Sequence, residues 1–172
     1  MRQTGMAGRM AAGLAAAGLA GAPATAADRT AIGVFRDWGA FREGPADAPT
    51  RCFAIAEPPR GTAASGRGAF ASIASWPAKR IRAQIAIRLS HAPRGAVTLS
   101  IANSAFVLLA RGQEAWALDR RADARIVATM RSGSSMSVSG VTVTGVPFAD
   151  AYRLRGVASA IDAASLACPP RR

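Results

Sequence analysis

Apolar residues in this chain recur at every second position over short runs, and each run ends in a cluster of turn formers. That pattern constrains the fold more than any other feature, because a two-residue period puts alternate side chains on opposite faces of an extended strand. The stretch from Arg82 is the clearest instance: Ile85, Ile87 and Leu89 fall on one face, and Gln84, Arg88 and Ser90 on the other. It predicts a half-exposed strand over 82–90. Strands are also predicted over 32–38, 51–57, 69–76, 96–101, 104–110, 136–143 and 148–155, with Met136 and Val138, then Phe148, Tyr152 and Leu154, facing inward. The segments GPADAP, PPRGTAASGRG, HAPRG and an Ala-Asn dipeptide separate several of these runs, and all are rich in residues that favour turns.

Two segments change to a helical period. Ala122, Ile126 and Met130 are spaced for one helix face over 122–131, and Gly133 stands where a helix commonly ends. Val157, Ala160, Ile161, Ala164 and Cys168 recur at steps of three and four, so a second short helix would bury Cys168, with Pro169 and Pro170 stopping it. The expected fold class is mostly β, an antiparallel β-sandwich or open barrel with two short helices.

The first 26 residues do not belong to that pattern. Arg2 and Arg9 lead into the apolar stretch MAAGLAAAGLAGA, and Ala24, Thr25 and Ala26 match a small-residue cleavage site, the three parts of a signal peptide. The apolar stretch is short and rich in alanine and glycine, whereas spanning a bilayer takes about 20 apolar residues. Removing 26 residues from the 172 leaves 146, enough for one β-rich domain over 27–172 and too few for two ordinary ones. The expected location is the periplasm or the medium, with association to the outer membrane as a further option. No span is expected in the processed chain.

Cys52 and Cys168 are the two cysteines. In an oxidising compartment such a pair reads as one structural disulfide, which would close a loop of more than a hundred residues. Two free, buried thiols are the alternative. A redox or metal role is disfavoured, because a CxxC pair is absent and the one histidine, His91, does not complete a set of four zinc ligands.

The order of these features resembles the invasion-associated locus B proteins of bacterial envelopes. The resemblance rests on FRDWGAF at 35–41, the cysteine-bearing RCFAIAE, IVATMRSGSSMSV with its helix, glycine and strand, and FADAYRLRGVASAIDAASLAC at the end. It implies a small, secreted, β-rich protein of the periplasm or outer membrane, with no defined enzymatic activity or ligand. A role in host-cell entry, known for some members, does not transfer on likeness of fold.

Among residues able to carry chemistry, His91 lies in the turn-rich SHAPRG and is expected to be exposed to solvent. A serine- or cysteine-based triad needs such a histidine beside a nucleophile and an orienting acid, but no GxSxG elbow supplies the serine. The acids Asp37, Glu43, Asp47, Glu57, Glu114, Asp119, Asp123, Asp150 and Asp162 are dispersed, and pairing with arginine or capping a helix is expected to account for most of them. The segment GTAASGRG lacks the lysine and following hydroxyl of a phosphate loop and reads as a hairpin connection. No catalytic residue, metal ligand or cofactor site is therefore assigned, and the protein is not expected to be an enzyme.

Aromatic rings and charge remain. Trp38 is expected in the core, whereas Trp76 and Trp116 sit beside turn or charged residues and form a candidate binding surface. Of 22 basic residues 21 are arginine, Lys79 being the one lysine, and the net charge of +12 falls to +10 without the leader. A surface this basic favours anionic envelope lipid or acidic polysaccharide, and a protein partner is the further candidate. Nucleic acid is not an expected partner, since the arginines are scattered and no nucleic-acid-binding module is present. The leading expectation is a non-enzymatic envelope protein that acts by binding; the alternative is a structural or stress-related periplasmic domain without a discrete ligand.

Overall fold

The computed structural model describes residues 28–169 apart from Gly66. The expected leader over 1–26 and Pro170 lie outside the described residues. Among the described residues ten strands form one antiparallel sheet: β1 (Arg29–Phe35), β2 (Trp38–Glu43), β3 (Arg51–Ala56), β4 (Phe70–Trp76), β5 (Ile81–Arg88), β6 (Val97–Ile101), β7 (Ser104–Arg111), β8 (Glu114–Ala117), β9 (Ser135–Val141) and β10 (Pro147–Arg153). Two helices accompany them, α1 (Arg120–Ser132) between β8 and β9, and α2 (Val157–Ala167) after β10.

The strand order is β1-β2-β3-β4-β5-β8-β7-β6-β9-β10. Five consecutive strands make one meander, three more make a second that joins the first through β5 and β8, and the β9–β10 hairpin extends it beyond β6. The sheet curls without closing into a tight barrel. The start of the first hairpin's second strand lies against the end of β10, where the Trp38 indole Nε1 donates to the Arg153 carbonyl at 2.9 Å and the Asp37 amide donates to the Arg155 carbonyl at 3.2 Å.

Alternation decides which face is buried. Paired residues of neighbouring strands share a face, so Ala40, Ala54, Ile73 and Ile85 line up inward, as do Ile87 and Ala115 farther along. All are within 3 % of full burial. The inward set on β5 is the expected one: Ile85, Ile87 and Leu89 are inaccessible to solvent, each contributing about 1.5–3 kcal/mol. Both helices add their apolar stripes to the same core, Ile126 and Met130 from α1, and Val157, Ala160, Ile161 and Ala164 from α2. Asp119 caps α1 by accepting from the Ala122 amide at 2.8 Å, and Gly133 ends it as the sequence predicts. The second helix packs on β1, β2 and β3, and a disulfide between Cys52 and Cys168 ties its C-terminal end to β3. Among the described residues no helix is long and apolar enough to cross a membrane, which says nothing of strands.

The strands depart from the sequence reading in the following ways. The strand expected over 32–38 is the end of β1, a tight turn at Arg36–Asp37 and the first residue of β2. Arg36 adopts a left-handed conformation there (φ 60°), and Asp37, the one turn-favouring residue of the pair, is a weak signal inside an otherwise strand-like run. The four-residue β8 was not anticipated, since EAWA is too short to establish a period. Ser90, expected on the solvent side of its strand, is buried, because β5 has ended by that point and the chain turns inward under Asp150.

Candidate binding surface

On the outward face of the sheet the register assembles two rows of charged side chains. In the first, Arg29 of β1 pairs with Glu43 of β2, and Glu43 pairs with Arg51 of β3. Trp76 of β4 lies one step beyond the Cys52–Ser75 pair and so falls in the same row as Arg51. In the second, Arg88 of β5 pairs with Glu114 of β8, which pairs with Arg111 of β7. Each row holds two arginines and one carboxylate.

The first row is packed against aromatic rings. The Arg51 guanidinium lies 4.2 Å from the centre of the Phe53 ring and 5.4 Å from that of Trp76, and Arg29 approaches the same Phe53 ring at 5.3 Å. Phe41 stacks on Phe53 with ring centres 5.6 Å apart. Such contacts each contribute about 0.5–2 kcal/mol and hold the flat guanidinium in place. Glu43 serves both cations, at 3.2 Å from Arg29 and 3.7 Å from Arg51. Burial lowers the Arg51 pKa, Glu43 opposes that shift, and Arg29 reinforces it. The Arg51 Nε is buried without a hydrogen-bond partner among the described residues.

In the second row Arg88 bridges to Glu114 at 3.1 Å. Trp116, two residues along β8 from Glu114, is half-buried on the same face, flanked across β7 by Leu109, with Val107 beyond it, both exposed. Trp76 and Trp116 thus share a face, but one intervening strand, β5, and four residues along the strand direction separate them, on the order of 15 Å by strand geometry. They do not form one stacking site; each belongs to a separate Arg–Glu–Arg row. Trp38 is fully buried, as expected.

Five of the acids follow the expected pattern. Asp37, Glu43, Glu114 and Asp162 pair with arginines, and Asp119 is the α1 cap. Asp123 and Asp150 do not. Asp123, in the first turn of α1, accepts from the Ile85 amide at 2.9 Å where β8 no longer supplies a partner to β5. Its pKa is raised, chiefly by burial.

Asp150 is inaccessible to solvent and accepts from the Ser90 amide at 2.8 Å and the Ser90 hydroxyl at 2.5 Å. This corrects the expectation for the neighbouring His91, which is half-buried, with Nδ1 2.8 Å from Ser90 Oγ and its ring 5.5 Å from Phe148. Serine, histidine and aspartate are therefore in contact, in an order unlike that of a nucleophilic triad. The serine stands between the other two and directs its proton to the carboxylate, whereas a triad requires the imidazole between nucleophile and acid. The carboxylate instead ties the start of the β5–β6 connection to β10. Among the described residues no group of three or more His, Cys, Asp or Glu side chains is placed to hold a metal ion.

Comparison with protein-family models, with curated proteins and with solved structures finds no match to this chain.

Proposed function

We propose that this is an exported, non-catalytic envelope protein, similar to the invasion-associated locus B proteins, whose outward sheet face binds an anionic component of the envelope. One observation carries the reading: two cross-strand rows on one face each set two arginines against a single carboxylate, with a tryptophan in or beside the row. Each row keeps a net positive charge after its internal pairing. The Arg51 guanidinium is already oriented by two rings, so less side-chain entropy is lost when it meets phosphate or carboxylate. The net charge of +10 that remains without the leader supports association with anionic surfaces at low ionic strength.

Retention on vesicles of phosphatidylglycerol and on an immobilised acidic polysaccharide tests the reading. Binding to at least one of them at low salt, weakening as salt is added, is the expected result. Failure to be retained on either at low salt contradicts it.

A further inference from the structure

We infer that a cavity between the β4–β5 hairpin and the C-terminal end of α2 is a binding site for a single-chain anionic amphiphile. The cavity measures about 660 Å³, within the range of about 300–1,000 Å³ that small-molecule sites occupy. Pro77, Ala78, Ile81 and Pro169 give it apolar walls, and the hairpin that supplies most of these also brings Arg80 and Arg82 to the lining, both of them exposed. Among the described residues no carboxylate lines it, so none of them neutralises either arginine within the cavity. The C-terminal end of α2 carries partial negative charge, so an anionic head belongs at the hairpin arginines, away from that helix end, and the hydrocarbon tail against the proline and isoleucine side chains. The site is separate from the arginine–aromatic face and does not depend on it.

The hairpin is shaped to hold the space open. Arg80 (φ 53°) and Ala83 (φ 48°) both adopt left-handed backbone conformations without being glycine. Such positions are strained and persist where the surroundings enforce them. One part of that enforcement is visible: the Ala83 amide donates to the Ser75 hydroxyl at 3.0 Å, at an irregularity in the β4–β5 pairing. The opposite wall is held by the Cys52–Cys168 disulfide, since Cys168 itself lines the cavity. Both sides are therefore fixed before a ligand arrives, the condition under which a concave site binds with least ordering cost.

Trp76 immediately precedes Pro77 of the cavity wall, which provides a donor for energy transfer to cis-parinaric acid. The full chain is titrated with this probe, then competed with palmitate, with lysophosphatidylglycerol and with uncharged hexadecanol. Saturable transfer is expected. Preferential competition by palmitate identifies a carboxylate head, and preferential competition by lysophosphatidylglycerol a phosphate head. Reversing both charges, Arg80→Glu with Arg82→Glu, is expected to weaken parinarate binding at least tenfold and hexadecanol binding less than twofold; Ala78→Trp, which fills the mouth, is expected to abolish both. Arg94→Glu, a charge reversal outside the cavity lining and both arginine rows, should leave both unchanged, which separates a local site from an effect of net charge. The inference is overturned by transfer that does not saturate, by equal affinity in the wild type and the charge-reversed protein, by unaltered binding in Ala78→Trp, or by sedimentation showing the cavity closed by a second copy of the chain.

Discussion

Trp38 and Arg153 stand 115 positions apart in the chain, and the indole Nε1–H of the first donates to the backbone carbonyl of the second at 2.9 Å. The bond links β2 to the end of β10, so the largest buried side chain in the core also joins the first hairpin of the sheet to its last strand. The Arg155–Asp37 ion pair, at 3.1 Å, reinforces the same junction from the solvent side.

Replacing Trp38 with phenylalanine keeps an aromatic ring but leaves the Arg153 carbonyl without its donor and a void where the indole was. A loss of about 2 kcal/mol or more is expected. Urea denaturation measures it, and a variant as stable as the wild type contradicts this role for the junction.

Gly156 is required at the other side of the same junction. Its backbone is left-handed (φ 88°), and a Cβ there would overlap the Phe35 carbonyl. Gly156→Ala is expected to destabilise the protein by more than about 2 kcal/mol, visible as a lowered Tm. An unchanged Tm means that β1 and the α2 N-terminus are not in contact.

The cross-link between Cys52 and Cys168 spans 116 positions. In the loop-entropy description its removal costs about 4.7 kcal/mol, the value for a loop of about 100 residues. The double variant Cys52→Ser, Cys168→Ser is expected to unfold at lower denaturant concentration by a corresponding amount. Equal midpoints with and without the bond contradict the expectation that α2 depends on it for anchorage.

Asp123 makes stability depend on pH in a defined direction. Burial raises its pKa, the Ile85 amide bond opposes the rise, and Asp119 adds to it. Between the unfolded value, about 3.9, and the raised folded value, the native state binds more protons than the unfolded state, so this contribution is lost as pH rises through that window. Asp123→Asn retains an acceptor for Ile85 and does not titrate. Its stability relative to the wild type is expected to improve from pH 3 to pH 7, and denaturation midpoints at the two values test this; a relative decline contradicts the direction.

Much of the architecture was legible because it rests on local period. β5 and the buried stripe of α2 follow from spacing alone, and the α1 cap at Asp119 satisfies the amide that a helix start exposes. Asp150 was legible in part: it shares the parity of Phe148 and Tyr152 on β10, so placing those two inward obliges the carboxylate to be inward as well. Its partner Ser90 lies 60 positions away, and nothing in a strand's own pattern announces that pairing. The same limit hid the Arg29–Glu43–Arg51–Trp76 row. Each member sits on a different strand, and only the register of three successive pairings brings them together.

Arg51 is the residue on which the proposed binding face most depends, since its guanidinium rests on two rings and shares one carboxylate with Arg29. The decisive measurement is co-sedimentation with phosphatidylglycerol vesicles at low salt, comparing the wild type with Arg51→Glu and with Arg94→Glu, a matched charge reversal outside both rows. Arg51→Glu is expected to weaken binding at least tenfold, and Arg94→Glu by a much smaller factor. Equal loss in the two variants would mean that net charge alone drives association and that the outward face has no site.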